Sequence, residues 1–393
     1  MRRMPWKESD KMSERMEFIT RLHAGERMTD LCREFGISRQ TGYLLDKKVR
    51  TLGPLGLGDL SRRPRRSPLK TPEEVVGEIL KLRGRYPTWG PKKLKQRLFD
   101  LQPEVHWPAA STIGVILKDQ GLVKGRKRRR RASPSPTLLR ESTAPNQLWC
   151  IDFKGQFRLG NGKYCYPLTV TDHYSRFLLG CEALSSTRSH PAEQALELVF
   201  RAYGLPEAIR SDNGAPFAST SHRGLSRLSV WLMRLGVELE RIQPAHPEQN
   251  GRHERMHRTL KQDTTRPAAH NQLQQQERFD TFQRVFNEER PHEALQMKTP
   301  KVFYSPSAHP FPDRLSKLTY PLHDLTRLVS HNGSIRMGPA GKLFIGKAFA
   351  GQPLGLTQLQ PQTWLVSFMD LDIGYLDLEA KRLLPIQAHQ PAA

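Results

Sequence analysis

The chain has 393 residues, of which 37% are hydrophobic, so it is long enough for two to four domains with packed cores. Its 62 Lys and Arg residues outnumber 39 Asp and Glu, and the resulting net charge of +23 indicates nucleic acid or an anionic membrane surface as the partner. No apolar stretch approaches membrane-spanning length and no signal-peptide core follows the basic start, so we expect a cytoplasmic, nucleoid-associated protein that binds no membrane.

The basic residues are concentrated at the start of the chain. Residues 1–140 contain 33 Lys and Arg against 15 Asp and Glu, a balance of +18, which leaves only +5 for the other 253 residues. We therefore expect the N-terminal third to capture the polyanion. The cysteines are scattered without a C-x-x-C pair, which argues against a disulfide framework or a four-cysteine zinc site. They are Cys32, Cys150, Cys165 and Cys181.

Residues 1–50 are predicted to form a helix-turn-helix DNA-binding domain. An amphipathic segment, 27–35, is followed by Gly36, which suits a helix C-cap, and by Ser38, which suits the N-cap of the next helix. The second helix would present polar side chains to the major groove. These side chains are Arg39, Gln40, Tyr43, Lys47 and Lys48. An ordinary helical hairpin is the alternative interpretation.

Residues 51–70, rich in Gly, Pro, Ser and Arg, are typical of a linker. Residues 71–124 are predicted to be helical again, with Thr71 as N-cap and Pro72 at the first helical position, and we interpret them as a second helix-turn-helix domain. A basic linker, 125–142, follows and includes the Lys and Arg run 126–131. Such a run can be a solvated linker, a phosphate-binding arm, or both.

From residue 143 the pattern changes to that of an α/β domain, predicted to extend to residue 305. Three consecutive strand-like runs are followed by alternating helices and strands, which favours one mixed sheet. The strands are predicted at 148–153, 165–172, 177–184, 208–212 and 237–242, and the helices at 191–203, 224–235, 249–262 and 275–287. Short strands with glycine turns then predict a small β-barrel at 320–385.

Three acidic residues stand in contexts typical of an active site. Asp152 ends an apolar run, Asp212 ends another and precedes Asn213-Gly214, and Glu248 follows Pro247 after a gap of 35 residues. Strand ends of an open α/β sheet gather functional residues, and a proline at the first turn would place the glutamate at the positive end of a helix. Each acid alone could be an ordinary turn, strand-end or helix-start residue. Together they predict a divalent-metal site for phosphodiester chemistry.

These motifs resemble the catalytic core of the integrase-like transposases, the superfamily of retroviral integrases and many bacterial insertion-sequence transposases. The match rests on Trp-x-x-Asp ending at Asp152, on Ser211-Asp212-Asn213-Gly214, and on the segment 247–251 with the Glu-Arg and Arg-Thr-Leu-Lys that follow it. It covers about residues 140–305. The zinc-binding N-terminal domain of the retroviral branch is absent from the sequence.

The resemblance implies a ribonuclease-H-like core whose catalytic triad, Asp152, Asp212 and Glu248, binds two Mg²⁺ or Mn²⁺ ions. It implies metal-dependent cleavage that exposes 3′-hydroxyl ends of a mobile element, followed by transfer of those ends into target DNA. The partners would be double-stranded DNA, comprising terminal inverted repeats and target, and further copies of the chain. Supporting turn residues would be Asn213, Gly214, Asn250 and Gly251, and further DNA-contacting residues, which could equally form a solvated face, would be Arg255, Arg258 and Lys261.

Other functions fit parts of the sequence. His253-Glu254-x-x-His257 matches the zinc-protease signature, whose histidines lie at i and i+4 of a helix. A DNA-binding regulator with an inert core and a general ribonuclease-H-like nuclease are also compatible with the residues. The triad together with the basic charge favours the transposase.

Overall fold

The computed structural model describes residues 11–59, 70–123, 139–219, 222–243 and 246–386, and it leaves the side chains of residues 222, 247 and 248 undescribed.

The chain divides into two compact units, comprising residues 1–71 and 72–393. Most of the predicted linker 51–70, and nearly all of the predicted basic linker 125–142 with its run 126–131, lie outside the described residues. No helix in the described part of the chain is long and apolar enough to cross a membrane.

The first unit is helical. Its helices are α1 (Lys11–His23), α2 (Met28–Glu34) and α3 (Arg39–Leu52). Between α2 and α3, Gly36 adopts a φ of +63°, and the Ser38 hydroxyl accepts a hydrogen bond of 3.2 Å from the Thr41 N–H. The predicted N-cap is therefore confirmed, whereas the C-cap of α2 is Phe35 and Gly36 follows it in the left-handed conformation. Gly42 is required where the two helices meet, because a Cβ there would lie 2.7 Å from Met28 Sδ.

The second unit begins with a helical domain made of α4 (Glu73–Arg85), α5 (Pro91–Leu101) and α6 (Ala110–Asp119), closed around Trp89 and Leu94. The predicted capping of α4 is wrong by one residue. Pro72 is itself the N-cap, with an extended ψ of 145° and no side-chain cap, so the Thr71 hydroxyl does not cap α4. Proline fixes φ but leaves ψ free, and the first helical residue is Glu73.

The helical domain is attached to the rest of its unit by Glu289, which is 6% exposed. The hydroxyl of Tyr86 donates a hydrogen bond to this carboxylate, and Arg97 lies 3.3 Å from it. Arg284 donates from the core side at 2.7 Å. A buried carboxylate held by donors from both domains fixes their contact, since a lost partner would leave a charge buried without compensation.

The core is a mixed sheet. Its strands pair in the order β4-β3-β1-β5-β6, with β2 added to β3. The β1–β3 and β3–β4 pairs are antiparallel, whereas β1–β5 and β5–β6 are parallel. The strands are β1 (Leu148–Phe153), β2 (Phe157–Arg158), β3 (Tyr164–Asp172), β4 (Leu178–Leu184), β5 (Ala208–Ser211) and β6 (Glu238–Arg241).

Helices cover the sheet on both faces. One face packs against α7 (Ser189–Tyr203) and α8 (Arg227–Arg234) through Leu196, Phe200 and Leu228. The other packs against α9 (Gly251–Thr264) and α10 (Gln272–Arg284) through Leu260 and Phe279. A π-helical turn, Val285–Glu289, continues α10. The predicted α/β core is confirmed.

The C-terminal strands form an open sheet. In the described residues they pair antiparallel in the order β13-β12-β11-β10-β7, and β8 pairs separately with β9. The predicted strands are present, but β7 and β13 remain edges, so the sheets do not form the closed barrel that was expected. The strands are β7 (Leu325–Leu328), β8 (Ser334–Arg336), β9 (Lys342–Phe344), β10 (Pro353–Gln360), β11 (Thr363–Phe368), β12 (Leu371–Asp377) and β13 (Arg382–Pro385).

Candidate active site

Two of the three predicted acids lie side by side at one edge of the sheet. The parallel pair β1–β5 aligns Leu148 with Ala208 and Cys150 with Arg210. Continuing this register brings Asp152, near the end of β1, level with Asp212, the first residue after β5. Neighbouring strands are about 4.8 Å apart, so the pairing places the two carboxylates next to each other.

The electrostatics of Asp152 agree with this placement. Burial, together with the negative charge of Asp212 as the second cause, raises the pKa of Asp152 to about 7. The backbone N–H of Phe153 and the cation of Lys154 oppose the shift without cancelling it. Two carboxylates that repel each other in a partly buried site are a donor set that a divalent cation would stabilise.

The loop after β5 holds Asp212 in a tight turn. The Gly214 N–H donates a hydrogen bond of 3.1 Å to Asp212 Oδ1, and a Cβ on Gly214 would lie only 3.0 Å from Oδ2. The Asn213 amide donates to the Ile242 carbonyl at 2.6 Å, which ties the loop to the residue after β6. The loop therefore positions Asp212, and this is the geometry expected of supporting residues.

The segment containing Glu248 differs from its prediction. Residues Pro247–Asn250 form a 3-10 turn, and the α-helix begins afterwards, at Gly251. The N-cap of α9 is Asn250, so Pro247 is not in the first turn of this helix as predicted. Glu248 therefore lies before α9, in the 3-10 turn. The side chain of Glu248 lies outside the described residues. The Asn250 side chain is 5% exposed, and its Oδ1 has no hydrogen-bond partner in the described part of the chain.

A carboxylate that was not predicted as catalytic, Glu254, lies near Asp152. It is the acidic residue in the first turn of α9 and is exposed. Its charge raises the pKa of Asp152, and together with Asp152 it opposes the burial that lowers the pKa of Lys154. In the sequence, Glu254 belongs both to the Glu-Arg pair of the integrase-like match and to the His-Glu-x-x-His motif.

The two histidines of that motif face the sheet. Both are buried, and both Nε2 atoms lie within hydrogen-bond distance of Thr169 Oγ1, at 2.8 Å for His253 and 2.6 Å for His257. His253 Nδ1 contacts Thr171 Oγ1 at 2.7 Å, and burial lowers the pKa of His253 to about 3. Since threonine hydroxyls contact three of the four ring nitrogens, the motif serves packing, and the zinc-protease interpretation has no support here.

His257 also contacts the acidic site. Its Nδ1 lies 3.7 Å from Asp152 Oδ2, and burial lowers the pKa of His257 well below its usual range. The ring is therefore neutral and does not compensate the charge of Asp152. Among the side chains that the structure describes, no three His, Cys, Asp or Glu residues are arranged as a ready metal site.

The predicted DNA-contacting residues lie mainly on exposed helix surfaces. On α3, Tyr43 is 60% exposed. The exposed members of the set are Arg39, Gln40, Tyr43, Lys47, Arg255, Arg258 and Lys261, whereas Lys48 is half-buried. The residues from Arg39 to Lys48 lie on α3, the second helix of the helix-turn-helix. Arg255, Arg258 and Lys261 lie on α9.

Comparison with known families defines the class of both parts. Residues 142–247 and 235–300 match two families described as integrase core domains, and residues 14–65 match a helix-turn-helix domain family. The matches thus define an integrase core domain, preceded by a helix-turn-helix domain.

Individual relatives come from mobile elements. An uncharacterized 31.7 kDa protein of insertion element IS407 from Burkholderia multivorans is 29% identical over 45% of this chain and 63% of its own length. A 39.2 kDa protein of insertion element IS476 from Xanthomonas euvesicatoria is 25% identical over 63% of this chain and 70% of its own. The Gag-Pol polyprotein of baboon endogenous virus is 32% identical over 31% of this chain and 7% of its own.

Over its integrase core the chain is therefore similar to proteins of bacterial insertion elements. It spans less than two thirds of the length of the first two relatives by match strength, 63% and 7%. Among solved structures, the HTLV-2 integrase catalytic core domain in complex with magnesium aligns with a TM-score of 0.34 at 14% identity, covering 42% of this chain and 100% of that one.

Proposed function

We propose that this chain is a DNA transposase that cleaves the ends of a mobile element and transfers them into target DNA. The observation that carries the proposal is that Asp152 and Asp212 lie beside each other where two adjacent parallel strands end, within an integrase core domain. The raised pKa of Asp152 supports it, since perturbed carboxylates concentrate at functional sites.

The donor set suits Mg²⁺ or Mn²⁺, because carboxylate oxygens are the ligands that these hard cations prefer. Asp152, Asp212 and a third carboxylate would hold the two ions. A bound pair of such ions supplies activation of a water or 3′-hydroxyl and stabilises the leaving oxygen. The protein's own contribution is positional. The Gly214 N–H fixes the orientation of Asp212. The Thr169 hydroxyl is hydrogen-bonded to His257, which flanks Asp152.

The third carboxylate is either Glu248 or Glu254. Spacing favoured Glu248, which lies in the 3-10 turn before α9. We propose Glu248 as the third acid, because of its spacing from Asp212 and the motif that surrounds it. Glu254, which lies on α9 itself and whose charge also acts on Asp152, is the alternative. Glu248→Gln and Glu254→Gln are matched variants that remove one charge each without removing the side-chain volume.

DNA would be held by the helix-turn-helix at residues 14–65 through the exposed side of α3, and the helical domain at 73–119 would contribute a second surface. Arg255, Arg258 and Lys261 would add phosphate contacts near the carboxylates. Because two element ends must be joined in one event, we propose that copies of the chain assemble on DNA. Work on genomic DNA would place the protein in the nucleoid.

The test is a strand-transfer assay with the full chain and the DNA that borders its gene. Asp152→Asn, Asp212→Asn and Glu248→Gln should each abolish joining and cleavage, while the dissociation constant for end DNA stays within about threefold, since phosphate contacts dominate affinity. Glu254→Gln is expected to retain joining.

The alternatives give different results in the same assay. Joining lost in Glu254→Gln and kept in Glu248→Gln would reverse the choice of third acid. Cut strands without joined strands would indicate a nuclease. DNA binding without Mg²⁺-dependent chemistry in the wild-type chain would indicate a regulator with an inert core.

A further inference from the structure

A second charged site lies on the other flank of α9. The helix packs its central face on the sheet through Met256 and Leu260. At 100° per residue, Glu254 and Lys261 fall on one side of this buried face and Arg252, Arg255 and Thr259 on the other. The second side lines a cavity of about 70 Å³, whose wall does not include Asp152, Asp212 or Glu254.

Cations from four elements converge on this cavity. Its wall receives Lys93 from α5, Arg176 from the β3–β4 turn, Arg252 and Arg255 from α9, and Arg290 from the segment after the π-helical turn. Arg252 and Arg255 are exposed at the rim, whereas the Arg290 side chain is only 11% exposed. The cavity is therefore open to solvent at one end and lined with positive charge inside.

The carboxylate in the wall does not balance these cations. Asp172 accepts hydrogen bonds from the Ser175 N–H at 2.7 Å, the Ser175 hydroxyl at 2.6 Å and the Asn146 N–H at 2.8 Å. Burial raises the pKa of Asp172 in spite of these bonds. Within the described residues its oxygens are bonded to the Ser175 and Asn146 donors and form no ion pair with the arginines.

Few of the cations have acidic partners of their own. Arg290 lies 3.9 Å from Asp263, at the edge of ion-pair distance. Within the described residues, Lys93, Arg176 and Arg255 have no carboxylate within 4.0 Å. Burial together with Arg290 lowers the pKa of Lys93 to about 7, and burial with the two rim arginines lowers that of Arg176. The group destabilises itself by repulsion.

A polar atom in the wall also lacks a partner. The Nε2 atom of His292 is buried and makes no hydrogen bond within the described part of the chain. Burial lowers the pKa of His292 to about 3, and Lys93 and Arg290 add to the effect. Buried polar atoms without a protein partner are uncommon and commonly mark a missing ligand or water. The ring already hydrogen-bonds the Phe286 backbone, so the Nε2 atom of the neutral ring is an acceptor and can take a hydrogen bond from a protonated phosphate oxygen.

We propose that this cavity binds a phosphate group. Forked guanidinium groups and an ammonium match the oxygens of a phosphate, and a bound anion would relieve the repulsion among the five cations. The inference rests on the cavity alone and does not require the proposed catalytic activity. The phosphate could belong to the backbone of DNA or be free in solution, because the recognising chemistry is the same.

The first experiment measures thermal unfolding of the full chain against inorganic phosphate, with chloride adjusted to constant ionic strength. The wild-type chain should show a saturable rise in Tm, as a ligand of the native state requires. Lys93→Gln should weaken the apparent affinity about tenfold or more, equivalent to about 1.4 kcal/mol. Lys95→Gln, on the same helix but outside the cavity wall, should behave as wild type.

The Tm of the Lys93→Gln variant without phosphate is the control for misfolding. It should equal or exceed the Tm of the wild type, because a repelled charge has been removed. Absence of a saturable rise in the wild-type chain, or equal phosphate affinity in Lys93→Gln and Lys95→Gln, would overturn the proposal. Asp152→Asn should retain wild-type phosphate affinity, so a failed catalytic proposal leaves this result unaffected.

The second experiment identifies the source of the phosphate. If it belongs to DNA, duplex DNA should compete with inorganic phosphate, and Lys93→Gln should reduce the salt dependence of DNA binding by about one phosphate contact. Unchanged DNA binding in Lys93→Gln, together with Lys93-dependent stabilisation by phosphate, would assign the cavity to free phosphate. Both outcomes support a phosphate site.

Discussion

Asp152 and Lys93 are opposite in charge, yet the fold moves the pKa of both to about 7. In each case burial is the main cause and a neighbour of like charge is the second, Asp212 for the aspartate and Arg290 for the lysine. The two sites lie on opposite flanks of α9. The comparison shows that one helix separates a site of crowded carboxylates from a site of crowded cations. A bound counter-ion would stabilise each of them.

The largest effect is expected for the acidic site. Asp212→Asn should reduce strand transfer by about a thousandfold or more, because removal of a metal-binding carboxylate costs several kcal/mol of transition-state stabilisation. Arg258→Gln, an exposed change on α9, should reduce it by less than about tenfold. Quantified joined products at saturating DNA would measure both. Similar losses in the two variants would show that the acidic site is not special.

The second-largest effect is expected at Glu289, where the helical domain that contains Lys93 packs against the core. Glu289→Ala should lower the free energy of unfolding by about 3 kcal/mol, since it leaves buried donors from both domains uncompensated. Glu293→Ala, which removes an exposed carboxylate 3.9 Å from Lys92, should cost less than about 0.5 kcal/mol. Urea denaturation of the two variants would compare them. Equal stability would contradict the role given to Glu289.

A smaller effect should reveal the repulsion at Asp152. The folded chain has a pKa for this group of about 7 against 3.8 ordinarily, so it binds more protons than the unfolded chain between these values, and stability falls as pH rises across them. In metal-free buffer at pH 8, Asp152→Asn should therefore be more stable than wild type by about 2 kcal/mol, after screening of a side chain that is 24% exposed.

The same comparison should vanish below about pH 3, where the wild-type carboxylate is mostly protonated in both states. Saturating Mg²⁺ at pH 8 should stabilise the wild type and not the variant. A variant that is less stable than wild type at pH 8 without metal would contradict the predicted repulsion.

The smallest effect is the mirror image at Lys93. Its pKa is lowered from 10.5 to about 7, so the unfolded chain binds more protons between these values, and stability rises with pH across that window. Lys93→Gln should be more stable than wild type by about 1 kcal/mol at pH 6 without phosphate, and the difference should disappear above about pH 10. Thermal melts across this range would detect it, and a variant less stable at pH 6 would contradict it.

The sequence predicted the acidic site better than the basic cavity. Asp152 and Asp212 end apolar runs, and strand ends at one edge of a sheet are a local signal. Glu254 also belongs to a short metal motif whose histidines turn inward to Thr169 and Thr171. Only the packing of α9 shows which side each residue occupies.

The cavity had no sequence signal, because its cations come from elements up to about 200 residues apart. They converge only when the helical domain docks through Glu289. The closed barrel failed for a related reason. Strand patterns at 328–377 identify the strands, but whether β7 and β13 meet depends on tertiary packing.

The most direct measurement of the central claim uses element-end duplexes that carry either a 3′-hydroxyl or a 3′-deoxy terminus, with target DNA and Mg²⁺. Direct transesterification by the carboxylate site predicts joined product only from the 3′-hydroxyl duplex with the wild-type chain, and none with Asp152→Asn. Joined product from the 3′-deoxy duplex, or undiminished joining by Asp152→Asn, would contradict the account.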